Sequence, residues 1–536
     1  MLVGFSFIKD SDGSSYDAVM PFRSRAIFAV IAVTVVAVLA VVIGGTDDTG
    51  RDDTVEASKD RTTDDSDPSA TAGPTTTARA ATTTTAATTT RAPFTGWSDP
   101  FLVGKPYGDK VDGLITFRGN LTRTYYGKGP VPSAPAVQWR FPPSGGLCSP
   151  SIDQSGEQIW CGTGWTGQPS VFERGGHTWV VFGAYDRAVH FLDATNGQRL
   201  LPDFPTGDII KGSVTIDADG FPLVYTGSRD NYLRVLAIDR DKPVELYKLS
   251  ANAVKPTLWN DDWDGSPLMI GDFLLEGGEN SQFHVIKLNR GYGADGKVTV
   301  DPQLVFNAPG WDAELLAAVH DTDVSIENSV AVYGNTVYFS NSGGLVQGWD
   351  LTPLRTGGAP TRVFRYWTGD DTDASIVIDE EGMLYIGVEY ERLNERSRAV
   401  GQIVKLDPTR ADPLVWKRDE RPYNNAGVWA TPALYRDIVI YATDEGKILG
   451  LDRATGEMLW SFMLPRPTWQ SPVVVDDVFI MGDCAGMLHG YDVRDTRVQP
   501  KELWKVDLGG CIESTPAVWK GRIFVGTRAG GVYGIG

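Results

Sequence analysis

The sequence predicts an all-β fold, an eight-bladed propeller, preceded by one transmembrane helix and a disordered linker. Three features lead there: eight copies of one short-strand unit, an 18-residue apolar run near the N-terminus, and a Thr-rich stretch between the two. Composition agrees. The 536 residues include 60 Gly and 16 Trp, and only 22% are charged. Many short strands joined by tight turns give that mix, whereas a helical bundle wants more Glu, Lys and Ala. The formal charge of −19 weighs against nucleic acid as a partner, because phosphate binding needs clustered Lys and Arg.

Residues 1–25 form a short segment before the apolar run of Ala26 to Ile43, which contains no charge. As a helix the run is about 27 Å long, close to the hydrocarbon thickness of a bilayer. Arg23 and Arg25 precede it, and Asp47 and Asp48 follow. The positive-inside rule then places the N-terminus in the cytoplasm and everything beyond the 26–45 anchor outside. A cleaved signal peptide is the competing reading, although the core is long for one and no A-x-A site follows closely. From Thr46 to Pro93 the chain holds 16 Thr and no apolar pattern. It cannot bury enough apolar surface to offset chain entropy. The reading is a disordered linker over 46–98, its 48-residue core spanning roughly 35–40 Å. It is either a plain tether or an O-glycosylated stalk. The remainder, 94–536, carries 41 basic and 56 acidic residues, a net of −15.

The repeat occupies the domain expected over 99–536. It is plainest in ATPALYRDIVIYATDEGKILGLDRATGEMLWSF, in QSPVVVDDVFIMGDCAGMLHGYDV and in STPAVWKGRIFVGTRAGGVYGIG. Each of these three has a Ser/Thr-Pro start and three short strands, the third ending on Asp or an equivalent. That mark falls at Asp193, Asp239, Asn289, Asp350, Asp407, Asp452, Asp492 and Gly536, at intervals averaging 49 residues. A fourth strand follows with an aromatic at Tyr247, Phe306, Phe364, Trp416, Trp460 and Trp504; the first copy has Leu201 there. The eighth copy stops at Gly536 after its third strand. Residues 136–141, with Trp139, are expected to supply the missing one, closing the ring and covering a bare edge. Residues 145–164 read as an extra hairpin between that strand and blade one.

The run Asp452-Arg-Ala-Thr455-Gly456-Glu-Met-Leu-Trp460 resembles the tryptophan-docking repeat of the PQQ-like, quinoprotein-type propellers. The opening Phe117-Arg-Gly-Asn120, with Thr124-Tyr-Tyr-Gly127 and Trp139, resembles that of BamB-type periplasmic relatives. The resemblance implies that Trp139, Trp416, Trp460 and Trp504 are structural, each packing across a blade interface. It also brings two functional classes. BamB-type relatives are assembly scaffolds. Others are dehydrogenases that hold pyrroloquinoline quinone with Ca²⁺, so both groups enter as possible cofactors. Many of those dehydrogenases carry an adjacent Cys-Cys pair that this chain lacks.

The four Cys all lie in the part expected outside the cell, where disulfides persist. The natural pairs are Cys148–Cys161 and Cys484–Cys511; free thiols or the other pairings are the alternatives. Their spacing does not suggest zinc. His190 and His489 occupy a repeat slot that elsewhere takes packing residues, and so read as packed side chains. His177, His284 and His320 form no ligand pattern.

Ligands of a propeller bind at the channel mouth, on loops that feed the innermost strands. Three successive loops are acidic: Asp261, Asp262 and Asp264; Asp321, Asp323 and Glu327; Asp370, Asp371 and Asp373. Convergence would make a negative mouth for a cationic partner or Ca²⁺, which favours several oxygen ligands. The competing reading is Asp as a turn and cap residue. G-x-S-x-G, H-E-x-x-H and Walker A motifs are missing. The leading expectation is a non-catalytic scaffold at the outer face of the membrane, with an envelope protein or polymer as partner. The alternative is a PQQ-dependent dehydrogenase acting on an alcohol or sugar. A ligand sensor is disfavoured because 25 residues are too few for a cytoplasmic output domain.

Overall fold

Each repeat folds as an antiparallel sheet in which apolar runs take the inside and alternating runs the outside. The innermost strands are largely buried, Val473–Val475 and Ala517–Trp519 along their whole length, while the outermost, such as Lys501–Asp507, are largely exposed. The computed structural model describes residues 94–536 except 154–155, 165–166 and 422–425. The expected transmembrane run and the linker through residue 93 lie outside the described residues. No helix among the described residues is long and apolar enough to cross a membrane.

Eight sheets form the blades, over 170–205, 215–250, 268–309, 331–367, 377–418, 433–463, 473–507 and 517–535. Val137–Phe141 pairs antiparallel with Gly531–Ile535 and so closes the eighth. Blade one is completed by the short Phe204–Pro205, just beyond Leu201. The hairpin Cys148–Asp153 and Gly156–Cys161 stands apart from the blades as a two-stranded sheet. Both natural cysteine pairs are bonded.

The outer aromatics mark one recurring irregularity. Tyr247, Phe306, Phe364, Trp416, Trp460 and Trp504 each sit where the register between third and fourth strands slips. Trp460, Trp504 and Trp139 lie over Gly450, Gly490 and Gly534 of their own blades, where an added Cβ would stand 2.1–2.2 Å from the ring. Three indoles also reach the next blade. Trp139 donates to the Ala194 carbonyl (3.0 Å), Trp416 to Arg453 (3.0 Å) and Trp460 to Thr496 (3.1 Å).

The Ser/Thr starts have a second use. The Ser266 N–H donates to Ser329 Oγ, Ser329 to Ser375, Ser375 to Thr431 Oγ1 and Thr431 to Ser471 Oγ, all at 2.9–3.0 Å. Gln168 donates likewise to Ser213 Oγ, and Thr515 to the Gly167 carbonyl. Blade is laced to blade by this belt around the axis.

Residues 113–127 plug the axis. Gly113–Leu114 pairs with blade one, and Gly127–Lys128 with blade eight. Between them the carbonyls of Ile115, Leu121 and Thr122 accept from Ile216, Val332 and Ile378, and Tyr126 Oη accepts from the Leu434 N–H. Arg118 and Arg123 are fully buried. Arg118 donates to the carbonyls of Pro472 (2.8 Å) and Pro432 (2.5 Å), and Arg123 to Val330 (2.6 Å). The channel is therefore filled by the chain itself on the side of the belt where the inner strands continue.

Residues 94–98, assigned by composition to the end of the linker, lie against blades three and four. Trp97 Nε1 donates to the Leu351 carbonyl (3.0 Å), its ring meets Phe273 edge-on at 5.9 Å, and Ser98 bridges Gly334. One indole supplies the burial that a Thr-rich tether lacks.

Candidate functional site

The loops entering the inner strands lie across the belt from the plug, and the turns between second and third strands join them there. Blades two and three build the first acidic group. Asp262 and Asp264 come from the loop before Leu268–Ile270, and Glu279 from the turn after Phe273–Gly277; one oxygen of each lies within 4.8 Å of the others. Lys211 Nζ lies 2.5 Å from Asp264 and 3.5 Å from Glu279, and Arg229 Nε 2.5 Å from Asp262. Asn260 donates to Glu279 at 3.0 Å.

Burial and mutual repulsion set the protonation here. Burial, then the Glu279 charge, pushes Asp262 up to about 7. Burial, then the Asp264 charge, pushes Glu279 up to about 8. For Lys211 burial opposes the charge, but Asp264 and Glu279 outweigh it and hold the ammonium well above its usual range. The group is a charge network short of cations.

A second group joins Asp371 and Asp373 of the loop before blade five with Glu389, just after its second strand, again within 4.8 Å. The blade-four loop is tied to blade five through Arg392, which bonds Asp321 Oδ2 (3.3 Å) and the carbonyls of Asp323 (2.7 Å) and Ser342 (2.9 Å). Glu327 accepts from Ser325 Oγ at 2.7 Å, and its charge acts on Asp264 and Glu279.

Three of the nine expected acids serve the backbone or the surface. Asp370 Oδ1 accepts the N–H groups of Asp371, Glu391 and Arg392 at 2.9–3.0 Å. Asp321 Oδ1 accepts the Asp323 N–H (3.0 Å), and Asp261 meets Asn252 (3.1 Å). Asp262, Asp264, Asp371 and Asp373 are brought into groups, with Glu327 coupled to the first.

Sequence reading missed Glu279, Glu389, Lys211, Arg229 and Arg392, most of which sit on the other turn of each blade. The signal available was that second- and third-strand turns also open at the mouth. It also missed the half-buried Trp429 and Trp469 on the loops before blades six and seven, whose rings stack at 5.8 Å and 26°. Glu276 was overlooked too. It is 2% exposed, neither carboxyl oxygen has a hydrogen-bond partner among the described residues, and burial drives its pKa well up.

The quinoprotein resemblance implies two ligands, Ca²⁺ and pyrroloquinoline quinone. The oxygens of Asp371, Asp373 and Glu389 are the hard donors that Ca²⁺ takes. In the first group Lys211 and Arg229 already stand against the carboxylates. Pyrroloquinoline quinone carries three carboxylates. A trianion needs cations free to face it, and Lys211 and Arg229 are already bonded to Asp264 and Asp262. The residues present do not fit it.

Residues 399–536 match the family model described as outer membrane protein assembly factor BamB, so this part of the chain carries the PQQ-like repeat. No curated protein matches the chain. Among solved structures, the quinohemoprotein alcohol dehydrogenase of Comamonas testosteroni is 13% identical, with 79% of this chain and 80% of that one covered and a TM-score of 0.50. That likeness shows the propeller fold. BamB of Moraxella catarrhalis is 15% identical over 75% of this chain and 98% of its own, with a TM-score of 0.37. The computationally designed Ika8 protein is 14% identical over 68% and 94%, with a TM-score of 0.47.

Proposed function

We propose that this chain is a non-catalytic binding scaffold of the cell envelope, held at the membrane by residues 26–43 and engaging an envelope protein or polymer through the mouth of its propeller. The observation that carries this reading is the make-up of the mouth. A stacked, half-buried Trp429–Trp469 pair shares it with two carboxyl groupings, the first of which already pairs its neighbouring cations Lys211 and Arg229. Aromatic faces beside carboxyl groups bind cationic side chains or sugar rings without any bond being made or broken. The mismatch with a tricarboxylate quinone weighs against the dehydrogenase alternative.

The test pairs two measurements. A photo-crosslinking residue at Trp469, in intact cells, should capture a discrete envelope component identified by mass spectrometry; the same residue at Gly334, on the plugged side, should not. Purified chain given pyrroloquinoline quinone and Ca²⁺ should reduce no dye with alcohols or sugars. Substrate-dependent dye reduction would overturn the scaffold reading.

A further inference from the structure

The hairpin of Cys148–Asp153 and Gly156–Cys161 is built inside out. Its register places Pro150, Ile152, Glu157 and Ile159 on one face with the disulfide, and Ser149, Ser151, Gln158 and Trp160 on the other. The polar set faces the propeller. Ser151 is buried, Ser149 Oγ donates to the Tyr185 carbonyl (2.5 Å), and Trp160 meets the Tyr185 ring at 5.5 Å. The apolar set faces water. Ile152 and Ile159 are each 66% exposed, more than any other large apolar side chain among the described residues. A strand that turns its aliphatic residues outward is patterned for a partner on that side.

One edge of this hairpin is also open. Cys148 and Cys161 face each other with Cα atoms 4.1 Å apart, the spacing of a pair that exchanges no backbone hydrogen bonds. Pro150 has no N–H, and its carbonyl accepts from Arg187, away from the opposite strand. The same phase turns the N–H and C=O of Glu157 and Ile159 outward. No backbone partner for them occurs among the described residues.

We propose that this hairpin docks an extended segment of a protein partner, which adds as a third strand beside Gly156–Cys161, sets an aliphatic side chain on Ile159 and a basic one against Glu157. A row of unpaired amides at strand spacing is answered by another polypeptide strand, which neither a sugar polymer nor a lipid provides. The exposed Glu157 selects for a basic residue two positions from the aliphatic one. A second copy of this chain is disfavoured because residues 94–536 carry a net −15. The proposal does not rest on what the mouth binds, although Trp160 on the inner face of the hairpin lies 6.0 Å from the Arg229 guanidinium there.

Hydrogen exchange on the full-length chain tests it, with a capped heptapeptide of alternating Val and Lys as the probe. At millimolar peptide the Glu157 and Ile159 amides should slow by about tenfold or more, while those of Ser151 and Gln158, already inside the hairpin, stay unchanged. Ile159→Asp, checked for unaltered melting and Trp160 fluorescence, should abolish the effect. Unchanged exchange with the wild-type chain would overturn the proposal. So would equal protection from a peptide with proline at alternate positions. Protection that grows with protein concentration alone would make a second copy the occupant, and would overturn it too.

Discussion

Arg118 Nη1 donates to the Pro472 carbonyl at 2.8 Å, across 354 residues of sequence. With its bond to Pro432 and with Arg123 on Val330, it ties the opening segment to inner strands of three blades. Removing either guanidinium leaves buried carbonyls without donors. Arg118→Met and Arg123→Met should each lower the unfolding free energy by about 1–3 kcal/mol, read as an earlier urea midpoint with an unchanged slope.

Closure of the ring makes a second prediction. Gly197 of blade one has φ of 69° and lies under Trp139, where an added Cβ would stand 2.8 Å from the indole. Gly175 has a similar φ of 60° with nothing within 4 Å. Gly175→Ala should cost about 1 kcal/mol through backbone strain, and Gly197→Ala clearly more. Equal losses in thermal melting would mean that the indole does not dock there. Deleting residues 136–141 should depress melting far more than either.

His190 gives a pH dependence. It is buried, with Nε2 3.0 Å from Asp186 and Nδ1 3.0 Å from Asp203, which Arg199 also holds, and its ring packs on Phe141 and Phe182. Burial opposes its charge, but the two aspartates outweigh it and raise its pKa. The ion pairs therefore stabilise fully below the unfolded value of about 6.5 and are lost as pH rises through the higher folded value. His190→Gln should flatten the stability profile on that alkaline side, and the imidazole resonances should titrate above those of a free histidine.

The mouth carboxyls give the opposite kind of group with the same sign. Glu279, held up at about 8 chiefly by burial, keeps a proton that the unfolded chain releases near 4. Stability from this group falls as pH rises between those values. Glu279→Gln should remove that fall and raise stability at pH 8 relative to pH 5 by more than about 1 kcal/mol. Denaturant unfolding at the two pH values measures it; an unchanged difference would place Glu279 among ordinary ionised carboxylates.

Much of the ring was legible in the chain because each blade is a local unit. The mark from Asp193 to Gly536 counts the blades, and a last copy lacking a fourth strand points to Trp139 near the other end. The extra hairpin with its Cys148–Cys161 pair was readable for the same reason: strands and turns of a dozen residues leave their pattern in sequence, whereas Cys484 and Cys511, 27 residues apart, meet across two neighbouring blades. The acidic loops were visible too, but which acids meet was not. Asp261 and Asp262 are neighbours in sequence, yet one meets Asn252 and the other Arg229.

Sequence alone thus determined the repeat, its number and its means of closure, since those follow from local alternation and turn chemistry. Tertiary structure alone decided the plug, the belt and the charge network. Arg118 reaches backbone carbonyls, which carry no residue identity, and Lys211, Asp264 and Glu279 meet only because closing a ring brings the loops and turns of adjacent blades to one mouth.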